Sequence, residues 1–354
     1  MNATKPQEVG YGSDKSGLVW GYRFAPGQAP EPIDCDAALE FLALAEEAEL
    51  PAASFIWLHF SLSNAASERW MRQHLELPES YYESLHKRVG STRLEMEDDA
   101  LVAIIHDVLF DASFDSTSIS TLMLCMEPRM VVSARLRPLR SVDRLRAAVR
   151  EGHNLRSSAE LLAHLLREQA AVLVDILRQS SSRMDAIEDS LLSDQIAVSR
   201  GELSALRRAL VRLQRLLAPE PAALFRLLNR PAPWLGPEDL EDLRQAAEEF
   251  SAAVGDSAAL AERLKLLQEE LAAMVGEHTN RTLFILTLVT VLALPINLVA
   301  GLLGMNVGGI PFAQHRQGFL VVVGTLAVVT GVLAYFFLIR RSASPARPRN
   351  REDR

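Results

Sequence analysis

The chain has 354 residues, of which 49% are hydrophobic and 23% charged, and its formal net charge is −8 at pH 7. This length suits two or three structural units, and the acidic balance argues against a nucleic-acid-binding protein. The two cysteines, Cys35 and Cys125, form no CxxC pair, which argues against a disulfide framework and against a cysteine zinc cluster.

The first half of the chain is predicted to hold an α/β domain at residues 17–152, after a flexible, polar N-terminus at residues 1–16. Apolar runs rich in β-forming residues predict four strands, at Ser54–Ser61, Leu101–Asp107, Ser120–Met126 and Met130–Arg135. The turn residues Glu127-Pro128-Arg129 predict that the last two strands pair as a hairpin. Helical patterns occupy Asp36–Ala48, Ser67–Leu75 and Pro78–Val89.

The pair His106-Asp107, followed by Asp111 and Asp115, is the most suggestive polar cluster of this domain. It fits a metal or hydrolase site, but it fits better a strand that ends at the pair and a loop capped by the aspartates. The sequence holds no GxxxxGKS/T loop, HExxH motif or GxSxG motif. We therefore predict no catalytic residue, no enzyme activity and no cofactor.

From residue 153 onward the pattern is helical. Apolar residues three and four positions apart predict a helical hairpin within residues 153–236, made of Leu155–Leu192 and Asp194–Leu217. Pro237 suits the first turn of the next helix, and acidic residues follow it, as helix N-termini favour. Nothing stops that helix before Leu303, so residues 237–303 are predicted to form one stalk and pore helix. Its residues 238–270 include ten acidic and three basic ones, which fits either a lining that attracts cations or a solvated face.

Two uncharged runs of 22 residues each, Thr282–Leu303 and Gly318–Ile339, predict a transmembrane hairpin. At about 1.5 Å rise per residue each run spans roughly 33 Å, enough to cross a hydrocarbon core, whereas core helices of soluble domains are rarely so long and uncharged. The connector at residues 304–317 is short. The basic tail at residues 340–354 and the positive-inside rule place both termini in the cytoplasm, so we predict a multi-pass protein of the inner or plasma membrane.

The polar residues of the first span, other than Thr282 at its entry, follow one face of the helix. A 3,4,3,4 spacing joins the positions that we call the seam: Asn280, Leu283, Thr287, Thr290, Leu294, Asn297 and Gly301. Polar side chains at such depth face either a water-filled path or a partner helix, and we favour the path. Because two helices cannot enclose a pore, transport requires an oligomer, and five copies give a suitable channel radius.

The tripeptide Gly304-Met305-Asn306, directly after the first span, resembles the signature of the CorA family of divalent metal cation transporters. Val307–Pro311 is similar to the ZntB branch of that family, which contains zinc transporters. Further segments similar to this branch are Thr279–Leu283, Ala293–Pro295, Glu127–Arg129 and Arg135–Leu139. The resemblance therefore runs over nearly the whole chain.

The resemblance implies a funnel-shaped homopentamer with cytoplasmic α/β domains and long helices, in which the first span lines the pore and the second lies outside it. It implies an outer mouth at Gly304, Met305 and Asn306, where a ring of Asn306 amides receives a hydrated cation, and a bend at Pro295. The positions that match the family's pore stripe are Asn297, Leu294, Leu283, Asn280 and, deeper in the funnel, Glu269. The implied substrate is a divalent cation, with zinc preferred and proton coupling left open, and the implied partners are copies of the chain and the lipid bilayer.

Two features depart from the family pattern. Asn297 stands where many relatives carry threonine, and Gln314–Gln317 lacks the acidic residue that CorA channels often carry in this loop. Instead, Arg316 would place positive charge at the mouth and neutral His315 would offer zinc a nitrogen ligand, unless both are solvated loop residues. The alternative functions are a magnesium, cobalt or nickel channel of the CorA type and a non-conducting membrane-anchored sensor or scaffold.

Overall fold

The computed structural model describes residues 12–46, 51, 53–86, 92–109, 119–192, 196–305 and 317–342. The chain divides into two compact units, Met1–Gln268 and Glu269–Arg354. The predicted fold of the single chain is confirmed, since an α/β domain is followed by long helices and by two C-terminal apolar helices. Residues 1–11 of the predicted N-terminus and residues 343–354 of the predicted basic tail lie outside the described residues.

The first unit contains one mixed sheet. Its strands are β1 Leu18–Phe24, β2 Glu31–Ile33, β3 Phe55–Ser61, β4 Arg93–Glu97, β5 Ala100–Val108, β6 Ile119–Met126 and β7 Met130–Arg135. The seven strands are ordered β2-β1-β3-β7-β6-β5-β4, and every neighbouring pair is antiparallel except the central pair β3 and β7. Both central strands are buried along their whole length, as expected where helices cover both faces of a sheet.

Helices cover this sheet and continue the chain beyond it. They are α1 Cys35–Glu46, α2 Ala66–His74, α3 Glu79–His86, α4 Arg140–Arg150, α5 Ser158–Leu192, α6 Ile196–Leu217, α7 Pro219–Asn229, α8 Pro237–Leu303 and α9 Gly318–Ser342. Phe41, Met71 and Tyr81 from α1–α3 share one hydrophobic core with Ile56 and Val132 of the central strands. Side chains of this size each contribute roughly 1.5–3 kcal/mol when they leave water, so this layer is a major source of the unit's stability.

Both cysteines of the chain are free thiols buried in that core. Cys35 begins α1 and Cys125 lies on β6. Burial raises the pKa of the Cys35 thiol to about 11, and burial also raises the pKa of the Cys125 thiol.

The four predicted strands are confirmed as β3, β5, β6 and β7, each within one residue at either end. The predicted hairpin is confirmed as well, because β6 and β7 are antiparallel and the Glu127 N–H donates to the Met130 carbonyl at 2.8 Å. The three predicted helices correspond to α1, α2 and α3.

Three strands, β1, β2 and β4, were not predicted from the sequence. Gly21 explains why β1 lacks a recognisable β pattern. A Cβ at this position of β1 would lie 2.7 Å from the Ile33 carbonyl oxygen of β2. Only glycine allows the two strands to approach so closely, yet glycine weakens the β pattern of a sequence. β2 contains Pro32 and β4 carries three charged residues among five, both atypical of strands.

The predicted helical hairpin of residues 153–236 contains α5 and α6, but also the short helix α7, which the pattern did not reveal. α8 begins at Pro237 and runs to Leu303 without interruption, as predicted. In the first unit, α8 buries Leu243, Phe250 and Leu264. Its Arg263 pairs with Asp185 and Glu188 of α5 at 3.3 and 3.2 Å. Exposed ion pairs of this kind contribute at most about 1 kcal/mol, so the apolar face dominates the packing.

His106 and Asp107 lie at the end of β5, which confirms the predicted strand end. Asp107 accepts hydrogen bonds from the Ser141 N–H at 3.0 Å and the Ser141 hydroxyl at 2.6 Å, at the start of α4. The Glu220 carboxylate of α7, fully buried, accepts from the His106 N–H at 2.5 Å and lies 3.3 Å from His106 Nδ1. Gln169 of α5 donates to the His106 carbonyl at 2.8 Å. The cluster therefore joins β5 to three helices; Asp111 and Asp115 lie outside the described residues.

Burial makes the two carboxyl groups of this cluster unusually basic. It raises the pKa of Glu220 to about 7, against the opposing effect of the hydrogen bonds from His106. It raises the pKa of Asp107 to about 6, against the hydrogen bonds from Ser141 and Val108. Glu220 therefore binds its proton more tightly in the folded than in the unfolded chain.

We predict that Glu220 makes the first unit less stable as the pH rises from about 5 to about 7. A folded-state pKa above the ordinary value stabilises at low pH, and this contribution, up to ~3 kcal/mol, is lost as the pH passes through the folded-state pKa. Glu220→Gln keeps an acceptor for the His106 N–H and should remove the part of the decline above pH 6, whereas Asp107, whose pKa is about 6, still contributes below it. Thermal unfolding midpoints of the full-length protein between pH 5 and pH 8 measure it. An undiminished decline above pH 6 in the variant would contradict the prediction.

Candidate ion pathway

The second unit presents two apolar helical segments that the chain itself leaves uncovered. The segment of α8 up to Leu303 and the α9 segment Gly318–Phe336 are long and apolar enough to cross a membrane, and none of either apolar window is buried. A core helix of a soluble protein would be covered, so surfaces of this kind must meet lipid or other chains. The two segments correspond to the two predicted spans.

The seam residues lie on one exposed face of α8. All seven are exposed in the single chain, with Leu283 54% and Leu294 67% accessible. The half-buried positions Phe284, Leu288 and Val299 point from another face of the helix. Ile296 lines a shallow cavity of about 370 Å³ with residues of α9, among them Thr330. α9 therefore packs away from the seam and leaves it free.

The seam threonines use their hydroxyl protons within the helix. Thr287 Oγ1 donates to the Leu283 carbonyl and Thr290 Oγ1 to the Leu286 carbonyl, each at 2.8 Å. Because a hydroxyl group has only one proton, its remaining lone pairs can only accept. The exposed side of each threonine hydroxyl therefore offers only lone pairs. These can contact a cation or its hydration water, but they cannot donate a hydrogen bond to an acceptor on a partner helix.

The helix ends where the family signature begins. The Gly304 N–H still donates to the Ala300 carbonyl at 3.0 Å, and a Cβ on Gly304 would lie 3.2 Å from that same oxygen. A side chain here would require the neighbouring backbone to shift by a few tenths of an ångström, and the need for glycine stays a prediction. Pro295 lies inside α8 and lacks the N–H that would bond to the Val291 carbonyl.

Most of the predicted site residues lie in the part of the chain that the structure describes, and three lie outside it. The seam shares one face, and Glu269 is exposed at the start of the second unit. Met305 follows the last helical turn and is 51% accessible. Asn306, His315 and Arg316 lie outside the described residues, so their roles stay predictions.

Comparisons with known proteins agree with this arrangement. The model of a family described as "CorA-like Mg2+ transporter protein" matches residues 52–341. The zinc transport protein ZntB of Pectobacterium atrosepticum is 24% identical over 280 residues, which cover 79% of this chain and 85% of the relative. The divalent cation transporter CmaX of Pseudomonas aeruginosa is 26% identical over 308 residues, 86% of this chain and 91% of the relative. The structure of full-length CmaX has the same fold, with a TM-score of 0.75, 23% identity and coverage of 92% of this chain and 99% of that one.

We predict that water reaches the seam and not the remaining faces of this segment of α8. Single cysteines placed from Leu283 to Gly301 should react with a water-soluble thiol reagent in a periodic pattern that peaks on the seam. Thr287→Cys and its neighbour Leu288→Cys form a matched pair, of which the first should react at least about tenfold faster, because only thiols that reach water form thiolate readily. Labelling without helical periodicity would refute a path along this face.

Proposed function

The chain belongs to the CorA family, since the family model matches residues 52–341, and we propose that it transports divalent metal cations across the membrane with a preference for zinc. The observation that carries the proposal is the seam. Asn280, Thr287, Thr290 and Asn297 form a polar row along the exposed and largely apolar C-terminal part of α8. Polar side chains are costly against lipid and typically mark ion pathways.

A homopentamer is the assembly that we propose for this path. Five copies of α8 with axes ~9 Å apart would leave a channel roughly 3 Å in radius, which suits a partly hydrated ion. Four copies would be tight and six loose. The packing of α9 on another face of α8 supports this arrangement, because it leaves the seam available to the centre of a ring.

The proposed ligands of the path are neutral oxygens. Asn306 at the mouth and Asn297 below it offer amide oxygens, and the threonines offer hydroxyl lone pairs. Neutral oxygens can replace part of a hydration shell without the tight binding of a carboxylate, so an ion can both enter and leave. Glu269, at the other end of the segment, would attract cations by its charge.

The preference for zinc has a different support from the path itself. It is suggested by the ZntB relatives and by His315, since imidazole binds zinc but not magnesium well. The second candidate is a magnesium channel, favoured by the description of the family model and by a path of oxygen ligands alone. The orientation that we propose has both termini in the cytoplasm, because arginines flank the two spans on that side while the connector holds only Arg316.

We predict that Asn306 is required for cation capture. Asn306→Ala should lower zinc and magnesium flux into liposomes that contain only this protein by about tenfold or more, equivalent to ~1.4 kcal/mol in the barrier. The matched control is Gln317→Ala, which removes an amide from the same connector outside the signature. Size-exclusion profiles must match those of the unchanged protein. Normal flux through a well-assembled Asn306→Ala variant would remove this residue from the mechanism.

We also predict that the outer loop sets the balance between metals. Arg316→Gln should raise flux at low ionic strength and less so in high salt, because exposed charges are screened within about 8–10 Å at physiological salt. His315→Ala should lower zinc flux more than magnesium flux, since only zinc gains a nitrogen ligand. Unchanged rates for both variants, across salts and metals, would show that the two residues are solvated and have no part in selectivity.

A further inference from the structure

Two histidine side chains of the first unit face each other outside the proposed ion path. His153 follows the end of α4 and His164 lies on the second turn of α5. Their Nε2 atoms are 3.3 Å apart, and the ring centroids are separated by 4.6 Å with an angle of 63° between the planes. The two Nε2 atoms are therefore close enough for one ion to contact both.

The position of His153 is fixed by the backbone. Gly152 adopts a left-handed conformation with φ of +98°, which glycine allows without strain. The Gly152 and His153 N–H groups then donate to the carbonyls of Val149 and Ala148, each at 3.0 Å. This C-terminal cap of α4 turns the chain back and directs it towards α5.

The distance between the two nitrogens is the distance that a shared metal ion requires. Zinc binds histidine nitrogen at about 2.0–2.1 Å in tetrahedral geometry, which places two such nitrogens about 3.3–3.4 Å apart. A direct hydrogen bond between the rings is the competing explanation, but 3.3 Å is long for a hydrogen bond from nitrogen, whose usual range is about 2.7–3.2 Å. The separation therefore suits two ligands of one ion, and metal binding distinguishes this arrangement from a direct hydrogen bond.

Glu160 can complete the site. It lies one turn before His164 on α5, and its Oε1 is 4.0 Å from His164 Nε2. A bound oxygen ligand would be about 3.3 Å away, so the carboxylate must approach by less than about 1 Å. Among the residues that the structure describes, no three metal-binding groups are already arranged around one point, so Glu160 would have to move to supply the third ligand.

Carboxylates near the site favour a cation, whereas the arginines there oppose one. Arg156 holds Glu160 and is bonded in turn to Glu238 and Asp242 on the first two turns of α8.

We propose that His153, His164 and Glu160 form a binding site for a divalent transition cation of the zinc class, with water as the fourth ligand. Two imidazoles select zinc, cobalt or nickel over magnesium and calcium, which prefer oxygen. The site lies in the first unit, whereas the seam lies in the second, so it does not depend on the proposed transport path. A bound ion would draw Glu160 away from Arg156, whose guanidinium would then pair only with Glu238 and Asp242 of α8.

Cobalt(II) provides the test, because four-coordinate cobalt with nitrogen ligands absorbs visible light strongly and the hydrated ion does not. The full-length protein, purified without a histidine tag, should show these bands at a stoichiometry of one ion per chain. Zinc should displace the cobalt and a large excess of magnesium should not. His153→Ala and His164→Ala should each weaken binding by about a hundredfold, since each removes a direct ligand.

Two further variants test whether a loss of binding has another cause, namely unfolding of the protein or cobalt binding to other histidines. His86 forms an exposed pair with Glu68 and has no second histidine in the pair, so His86→Ala should leave the bands unchanged. Arg156→Gln frees Glu160 and removes a positive charge, so it should tighten cobalt binding by about threefold or more, which a damaged fold would not do. Bands that persist in the double variant His153→Ala/His164→Ala, or a six-coordinate spectrum throughout, would overturn the proposal.

Discussion

A polypeptide that crosses hydrocarbon must satisfy its backbone hydrogen bonds internally, and the architecture of this protein depends on that constraint. It forces the segment up to Leu303 to be helical, and helical geometry then converts a spacing of three and four residues into a single face. The polar seam exists only because of this conversion. The same hydrogen-bonding requirement engages the hydroxyl protons of Thr287 and Thr290 and fixes which part of each side chain remains available.

The first unit meets a related requirement by different means. Its central strands are covered on both faces, so polar groups that are buried there must find partners within the protein. His59 and Ser133 do so across the parallel pair of strands, with a distance of 2.7 Å between Nδ1 and Oγ. At the end of β5, Asp107 accepts a hydrogen bond from Ser141 at the start of α4, and Glu220 of α7 accepts one from the His106 N–H. Buried polar contacts thus define how the helices are placed on the sheet, while the apolar core supplies most of the stability.

Long, regular features could be predicted from the sequence and isolated ones could not. The two spans, the uninterrupted α8 and the β6–β7 hairpin follow from patterns that repeat over many residues or from clear turn residues. β1 was missed because Gly21 serves a close contact that only the folded sheet reveals. Glu220 was missed because it lies 114 residues from His106 in sequence, and no local pattern links the two. The convergence of His153 and His164 likewise depends on the turn at Gly152, so spacing alone did not suggest it.

The burial of both cysteines has a consequence for a protein whose proposed cargo is zinc. Thiolate is among the strongest zinc ligands, but only the deprotonated form binds. With a pKa of about 11, the thiol of Cys35 is ionised in only about one molecule in ten thousand at pH 7, and Cys125 is shielded in the same core. Neither cysteine is therefore available to bind a passing ion tightly through a thiolate. The ligands that we propose for the ion are accordingly the exchangeable oxygens of the path and the imidazole of His315.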